Sequence, residues 1–310
     1  MLQQTQVKVV IPYFTRWMKR FPTLSALAQS PISAIIKAWE GLGYYSRAHS
    51  LHKGSQYILD HHQGEIPPQR KSLEAIPGIG PYTAGAILSF AFQQRALAVD
   101  ANILRLFSRY AAISDPIDRT RGKQRVNHVL EGFLPLENSP LVMEGLIELG
   151  ALICNRNPQC LHCPLSASCV SFQKQQVAHF PVQSARPPRQ SVTSDIAILS
   201  CDDQILLLSP QKKGRFAGLW QLPKKEEIEA LPLKYVHHLP AVEHAFTRYL
   251  CLLKPTWWTT DYPQPILNCK WMPIQDLPAL SFHAGDKSVL KYWMVHHLKA
   301  ELRSHTLLQS

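Results

Sequence analysis

The hydrophobic pattern of this 310-residue chain changes period about halfway along. Up to about residue 172, apolar residues recur every three or four positions, as in "TLSALAQSPISAIIKAWEGLGYY" and "SPLVMEGLIELGALIC". That spacing predicts one helix after another, each with one buried face. Strand-like alternation is nearly absent there. Thr23, and Ser30 or Ser33, stand where helix N-caps are expected, and Gly41 and Gly43 break the pattern before a Tyr-Tyr pair.

The stretch "HFPVQSARPPRQSV", residues 179–192, has no periodicity and is rich in Pro, Arg and Ser, which predicts a solvated linker. Beyond it the pattern shortens. "SDIAILSCDDQILLLSP" places two apolar runs around an Asp-Asp turn, a hairpin signal, "YLCLLKPTWW" and "NCKWMPI" read as further strands, and "DKSVLKYWMVHHLKAEL" reads as a closing helix. The expected organisation is therefore a helical domain over 1–172, a linker over 173–192 and a smaller α+β domain over 193–310.

Charge adds a direction. Lys and Arg number 33 against 22 Asp and Glu, a net +11, which favours a polyanionic partner through phosphate contacts and counterion release. No apolar run reaches the roughly 20 residues of a spanning helix and the start does not read as a signal peptide, so the expectation is a soluble, cytoplasmic protein. Four of the seven cysteines fall between Cys154 and Cys169, a clustering that points to metal rather than a disulfide framework.

Two motifs carry chemistry. In "LEAIPGIGPYTAGAIL", Pro77-Gly78-Ile79-Gly80 separates two helical patterns, the second opening near Pro81. Glycines before a helix that starts on Pro let the backbone turn sharply and aim free N–H groups outward, where a DNA phosphate can sit. Twenty residues after Gly80 comes Asp100, in "LAVDANILRLF". A carboxylate in so apolar a stretch is either the cap of the following helix or a working group, and at a cleft edge it can be both. The second motif is "CNRNPQCLHCPLSASC", a C-x5-C-x2-C-x5-C spacing of Cys154, Cys160, Cys163 and Cys169. One C-x2-C knuckle instead of two favours a [4Fe–4S] cluster over a zinc ribbon, with His162 a less favoured alternative ligand.

Together, "MLQQTQV", "EGLGYYSRAHSLHK", the hairpin with Asp100, "LIELGALIC" and the four cysteines resemble the MutY-type adenine DNA glycosylases over essentially all of 1–172. "GRFAGLWQLP" and residues 195–298 resemble, more loosely, that family's Nudix-like C-terminal domain. The resemblance implies a mostly α helix-hairpin-helix glycosylase domain with an iron–sulfur cluster loop, followed by a smaller α+β Nudix-like domain. It implies excision of adenine mispaired with 8-oxoguanine or guanine in double-stranded DNA, by flipping the base and hydrolysing its N-glycosidic bond on a monomeric enzyme. On the matching positions, Asp100 would stabilise the sugar cation, Tyr82 and Asn102 would line the site, and Glu148 would lie near the adenine pocket. Gln4 and Tyr44, with Leu2 and Gln3 beside them, would wedge into the base stack, and Gly78 and Gly80 would hold the backbone phosphate. The related endonuclease III enzymes carry a Lys where this chain has Tyr82, so no Schiff base can form there and a monofunctional glycosylase is expected.

Departures from the family pattern sharpen these expectations. The gap between Cys154 and Cys160 is one residue shorter than is usual, and the family's Phe-Ser-His contact to 8-oxoguanine is here Phe246-Thr247-Arg248. No Nudix box is present, so "EEIEALP" is no hydrolase centre. The family's general-acid Glu falls two residues before Met1. The expectation is therefore either an upstream start that restores it, or a DNA-binding iron–sulfur protein with impaired catalysis; adenine release by the chain as it stands would instead make Glu148 the first candidate acid.

Overall fold

Helical periodicity in the first part of the chain becomes α1 (Val7–Arg20), α2 (Leu24–Gln29), α3 (Ile32–Trp39) and α4 (Ser46–His62). The computed structural model describes residues 1–3, 5–185, 188–212, 214, 216–246 and 249–307. Thr23 caps α2 as expected, its Oγ1 accepting from the Ala26 amide at 3.1 Å. Ser30 does not open α3; its hydroxyl donates to the Ala26 carbonyl at 2.7 Å and closes α2. Pro31 takes the position before Ile32, and Ser33 lies inside α3.

Packing groups the chain as Met1–Gln56 with Pro187–Ser310, and separately Tyr57–Arg186, whereas the texture of the sequence changes near residue 172. In the first unit Trp17, Phe21, Ile35, Ile36 and Trp39 form a buried cluster that also takes in Leu219, with Phe216 packed against it. The same unit contains a six-stranded sheet of β1 (Gln190–Cys201), β2 (Gln204–Leu208), β3 (Lys234–His238), β4 (Val242–Phe246), β5 (Tyr249–Thr259) and β6 (Cys269–Pro273), ordered β3-β5-β1-β2-β6 with β4 also on β5. The Asp202-Asp203 turn joins an antiparallel β1–β2 pair, as its sequence predicts.

Strand β1 starts at Gln190, inside the segment expected as linker, because Gln190–Val192 find parallel partners in Tyr249–Cys251 of β5. Ile196 and Ile198 face Val289, Leu290 and Trp293 of α11 (Ala284–Leu307), whereas Ala197 and Leu199 pack on the other face with Leu206 and Ile228. Burial on both faces is why this strand reads as a continuous apolar run instead of alternating.

The second unit contains the rest of α4, then α5 (Arg70–Ala75), α6 (Pro81–Ala86), a π-helical turn over Ile87–Ala91, α7 (Ala101–Tyr110), α8 (Thr120–Phe133), α9 (Ser139–Leu152) and α10 (Val170–Gln173). Phe107, Val126, Leu130 and Met143 are fully buried at its centre. The segment after α10 is fixed rather than loose: the Ile117 amide donates to the Val182 carbonyl at 3.0 Å and the Ser184 amide to Asp118 Oδ1 at 2.9 Å.

Candidate active site

Hairpin α5–α6 is built as its glycines predict. Gly78 has φ of +89°, the left-handed conformation that a side chain would strain, and Pro81 starts α6. Gly80 differs: its backbone is extended, with φ of −97°, and an added Cβ would meet open space. The fold itself therefore makes no demand for glycine at position 80. The smallest residue there leaves the backbone open to close approach from outside.

Two close contacts bring this hairpin and α9 onto the segment that carries Asp100. A Cβ on Gly85 would lie 1.8 Å from the Leu97 carbonyl oxygen, and one on Gly150 would lie 2.9 Å from Asn102 Cβ. Neither helix could pack at these distances with a larger residue.

Asp100 is both cap and candidate reactive group. Its Oδ1 accepts from the Ile103 amide at 2.8 Å, capping α7, and its Oδ2 accepts from Asn102 Nδ2 at 2.8 Å. Each oxygen accepts one bond from the protein and keeps a second lone pair. Tyr82, 36% exposed, has its phenol pKa raised by burial and by the Asp100 carboxylate, so these two side chains share an environment. Glu148 is exposed on α9 and bonds to neither of them among the described residues.

The hydrogen bonding continues along α7. Asn102 Oδ1 accepts from Arg105 Nη2 at 2.9 Å, while Arg105 also donates to the Gly150 carbonyl at 2.6 Å and, through Nε, to the Cys154 carbonyl at 2.7 Å. Arg109, 5% exposed, donates to the Asn155 carbonyl at 2.7 Å, the Phe180 carbonyl at 3.0 Å and Cys154 Sγ at 3.4 Å. Sequence reading passed over both arginines. Their signal was available: Asn102, Arg105 and Arg109 recur at three- and four-residue spacing, so they share one face of a helix.

Cys154, Cys160, Cys163 and Cys169 all line one partly open pocket, together with Leu106, Arg109 and Tyr110. The thiol pKa of Cys160 is raised by burial first and then by the charges of Cys154, Cys169 and Cys163. Four thiolates there repel one another unless a positive group lies between them. Among the described residues no three His, Cys, Asp or Glu side chains converge on a point that a single ion could occupy. His162 is exposed.

Of the residues read as DNA-contacting, Leu2 is 60% exposed and Tyr44 48% exposed, and Tyr44 has φ of +47°. The Gln3 carbonyl accepts from Arg47. Gln4, Thr247, Arg248 and the side chain of Phe246 lie outside the described residues. No helix among the described residues is long and apolar enough to cross a membrane.

Residues 1–131, which include the glycine hairpin and the capped Asp100, match the model of the HhH-GPD superfamily base excision DNA repair proteins. The chain is similar to a solved thermostable thymine-DNA glycosylase at 26% identity and a TM-score of 0.51, over 56% of this chain and 80% of that one. It is 31% identical to the adenine DNA glycosylase of Buchnera aphidicola subsp. Baizongia pistaciae over 83% of this chain and 76% of that protein. Against the adenine DNA glycosylase of Schizosaccharomyces pombe it is 37% identical over 73% of this chain, and it spans 58% of that longer protein. The chain belongs to the adenine DNA glycosylase family, whose members are hydrolases of N-glycosyl bonds.

Proposed function

We propose that this protein excises adenine mispaired with 8-oxoguanine or guanine from double-stranded DNA, as a monofunctional glycosylase acting as a monomer in the cytoplasm or on the nucleoid. The observation that carries the reading is Asp100. Two donors aim its oxygens, and each oxygen keeps a lone pair for something outside the protein. Hydrolysis of the bond between adenine and deoxyribose passes through an oxocarbenium-like sugar, and a fixed carboxylate beside it stabilises the developing positive charge. Tyr82 supplies no amine, so the sugar cation is captured by water instead of by a Schiff base.

On this reading the helical region to residue 172 does the chemistry, and residues 193–310, a Nudix-like domain joined through 173–192, recognise 8-oxoguanine with Phe246, Thr247 and Arg248. Gly78 and Gly80 offer amides to a backbone phosphate. Leu2, Gln3, Gln4 and Tyr44 fill the stack left by the flipped base, and the exposure of Leu2 and Tyr44 supports that role. Cys154, Cys160, Cys163 and Cys169 would hold a [4Fe–4S] cluster, which when bound supplies a structural and redox-active centre; the shared cavity supports it. Iron and acid-labile sulfide in equal amounts are the expected assay result, and stoichiometric zinc would overturn it.

Single-turnover adenine release from an 8-oxoguanine:adenine duplex tests the activity, with guanine:adenine and thymine:adenine duplexes beside it. Release from the two mispairs, abolished in Asp100→Asn with DNA affinity retained, is the expected outcome. Tight lesion binding with no release would favour a recognition protein without cleavage.

A further inference from the structure

Met1, Gln3 and Thr5 are far in sequence from Leu42–Tyr44, yet they meet at one side chain. Arg47, near the start of α4, donates through Nη1 to the Met1 carbonyl at 3.1 Å and to the Gln3 carbonyl. Its Nη2 donates to Thr5 Oγ1 at 3.3 Å, the Leu42 carbonyl at 3.2 Å and the Gly43 carbonyl at 3.3 Å. The guanidinium carbon also stands 5.3 Å from the ring centroid of Trp39 and 5.4 Å from that of Tyr44, within cation–π range. Trp39 is buried at the centre of the helical cluster, so one face of this arrangement is anchored in the core.

Tyr44 is the unusual member. It holds φ of +47° directly after Gly43 at +70°, a left-handed conformation that an aromatic residue keeps only when its surroundings over-determine it. Burial does not do this, since the side chain is 48% exposed. What holds it is the carbonyls of Leu42 and Gly43 on one guanidinium, with that same cation beside its ring. Lysine could not substitute: a compact ammonium has three donors and no plane, and cannot fan to five acceptors while stacking on two rings.

We propose that Arg47 is the positioning residue for base flipping. It ties Met1, Gln3 and Thr5 to the Leu42–Tyr44 turn, so that Leu2, Gln3 and Tyr44 enter DNA as one preformed wedge. The proposal rests on the wedge reading of Leu2, Gln3, Gln4 and Tyr44 above. A preformed wedge loses no conformational freedom at the moment of strand opening, so the effect belongs to flipping rather than to bond cleavage.

The test uses the full chain and a duplex with 2-aminopurine opposite 8-oxoguanine, whose fluorescence rises when the base leaves the stack. Arg47→Met, Arg47→Lys, Tyr44→Ala and the double variant Arg47→Met/Tyr44→Ala are compared by stopped flow, with thermal melting recorded for each. Arg47→Met and Tyr44→Ala are each expected to lower the fluorescence amplitude and the single-turnover rate about tenfold, and the double variant no further, because both break one device. Arg47→Lys is expected to restore the melting temperature and not the amplitude. It also carries the test if Arg47→Met does not fold.

Full fluorescence amplitude in a folded Arg47 variant, or single effects that multiply in the double variant, would overturn the proposal. If Tyr44→Ala lowers the signal and the Arg47 variants do not, only this proposal fails. If Tyr44→Ala leaves the signal intact, the wedge reading fails with it. A wild type that flips without releasing adenine sinks the activity reading alone.

Discussion

Asp100 and Arg47 are both charged side chains fixed by their neighbours, and they are fixed in opposite ways. Asp100 accepts one bond on each oxygen and retains a lone pair on each. Arg47 spreads its terminal nitrogens over five acceptors, four of them backbone carbonyls, and its Nε is buried with no hydrogen-bond partner, so its donors face inward. A positioned group with unused valence is suited to act on something outside the protein, whereas one whose donors are turned inward onto the backbone is suited to shape it. Losing the first should cost chemistry, and losing the second should cost geometry or stability.

The largest effect that would sharpen this contrast is Asp100→Asn. It keeps the cap and most of the shape but removes the charge, so adenine release should fall on the order of 10²–10³-fold or more. The fluorescence signal of base flipping should be unchanged in the same stopped-flow experiment. Equal loss of flipping and release would erase the distinction between the two residues.

Next comes Gly85→Val, which puts a side chain where the Leu97 carbonyl already stands. Backbone must move to relieve a 1.8 Å contact, and overpacking of this kind costs about 3 kcal/mol or more, read by chemical denaturation. Unchanged stability would mean that the approach of α6 to the Asp100 segment is looser than its geometry.

Arg105 is close enough for the Asp100 charge to act on it, but like Arg47 it is committed to the protein, its Nε and Nη2 donating to Cys154, Asn102 and Gly150. The contrast therefore predicts that Arg105→Met behaves as a stability variant. It leaves acceptors unpaired at a cost of about 2–4 kcal/mol in denaturant unfolding. Full stability with lost release would instead make Arg105 part of the chemistry.

The smallest effect is electrostatic. Burial raises the Glu40 pKa, but hydrogen bonds and charge from Lys37 and Lys287 outweigh it and leave the group below its ordinary value. A depressed carboxylate contributes stability above its unfolded pKa and loses it as pH falls through the folded value. Because Lys287 is 63% exposed, Glu40→Gln should cost no more than about 1 kcal/mol at neutral pH. That difference should vanish in acid, which denaturation at two pH values would read.

Much of the candidate site was legible beforehand. The hairpin glycines, the Asp100 cap and the four cysteines each form a pattern within a few residues, where spacing alone sets geometry. The expectation that Ser30 might open α3 failed because Pro31 competes for the position before Ile32 and Ser30 bonds backwards to Ala26. The linker was overdrawn at its end because Gln190–Val192 gain partners 59 residues later in β5.

What the sequence determined by itself is local: helices from apolar spacing, a turn from glycines, a cap from aspartate, four thiols close together from clustered cysteines. Tertiary structure alone decided that residues 1–56 pack with 187–310, that β1 and β5 run parallel, that Arg47 joins Met1, Gln3 and Thr5 to the Leu42–Gly43 turn, and that Arg105 and Arg109 tie α7 to the backbone around Cys154. The physical reason is the nature of their partners. Most of them are backbone carbonyls, which every residue carries alike, so no letter in the sequence marks them until the fold brings them within reach of a guanidinium.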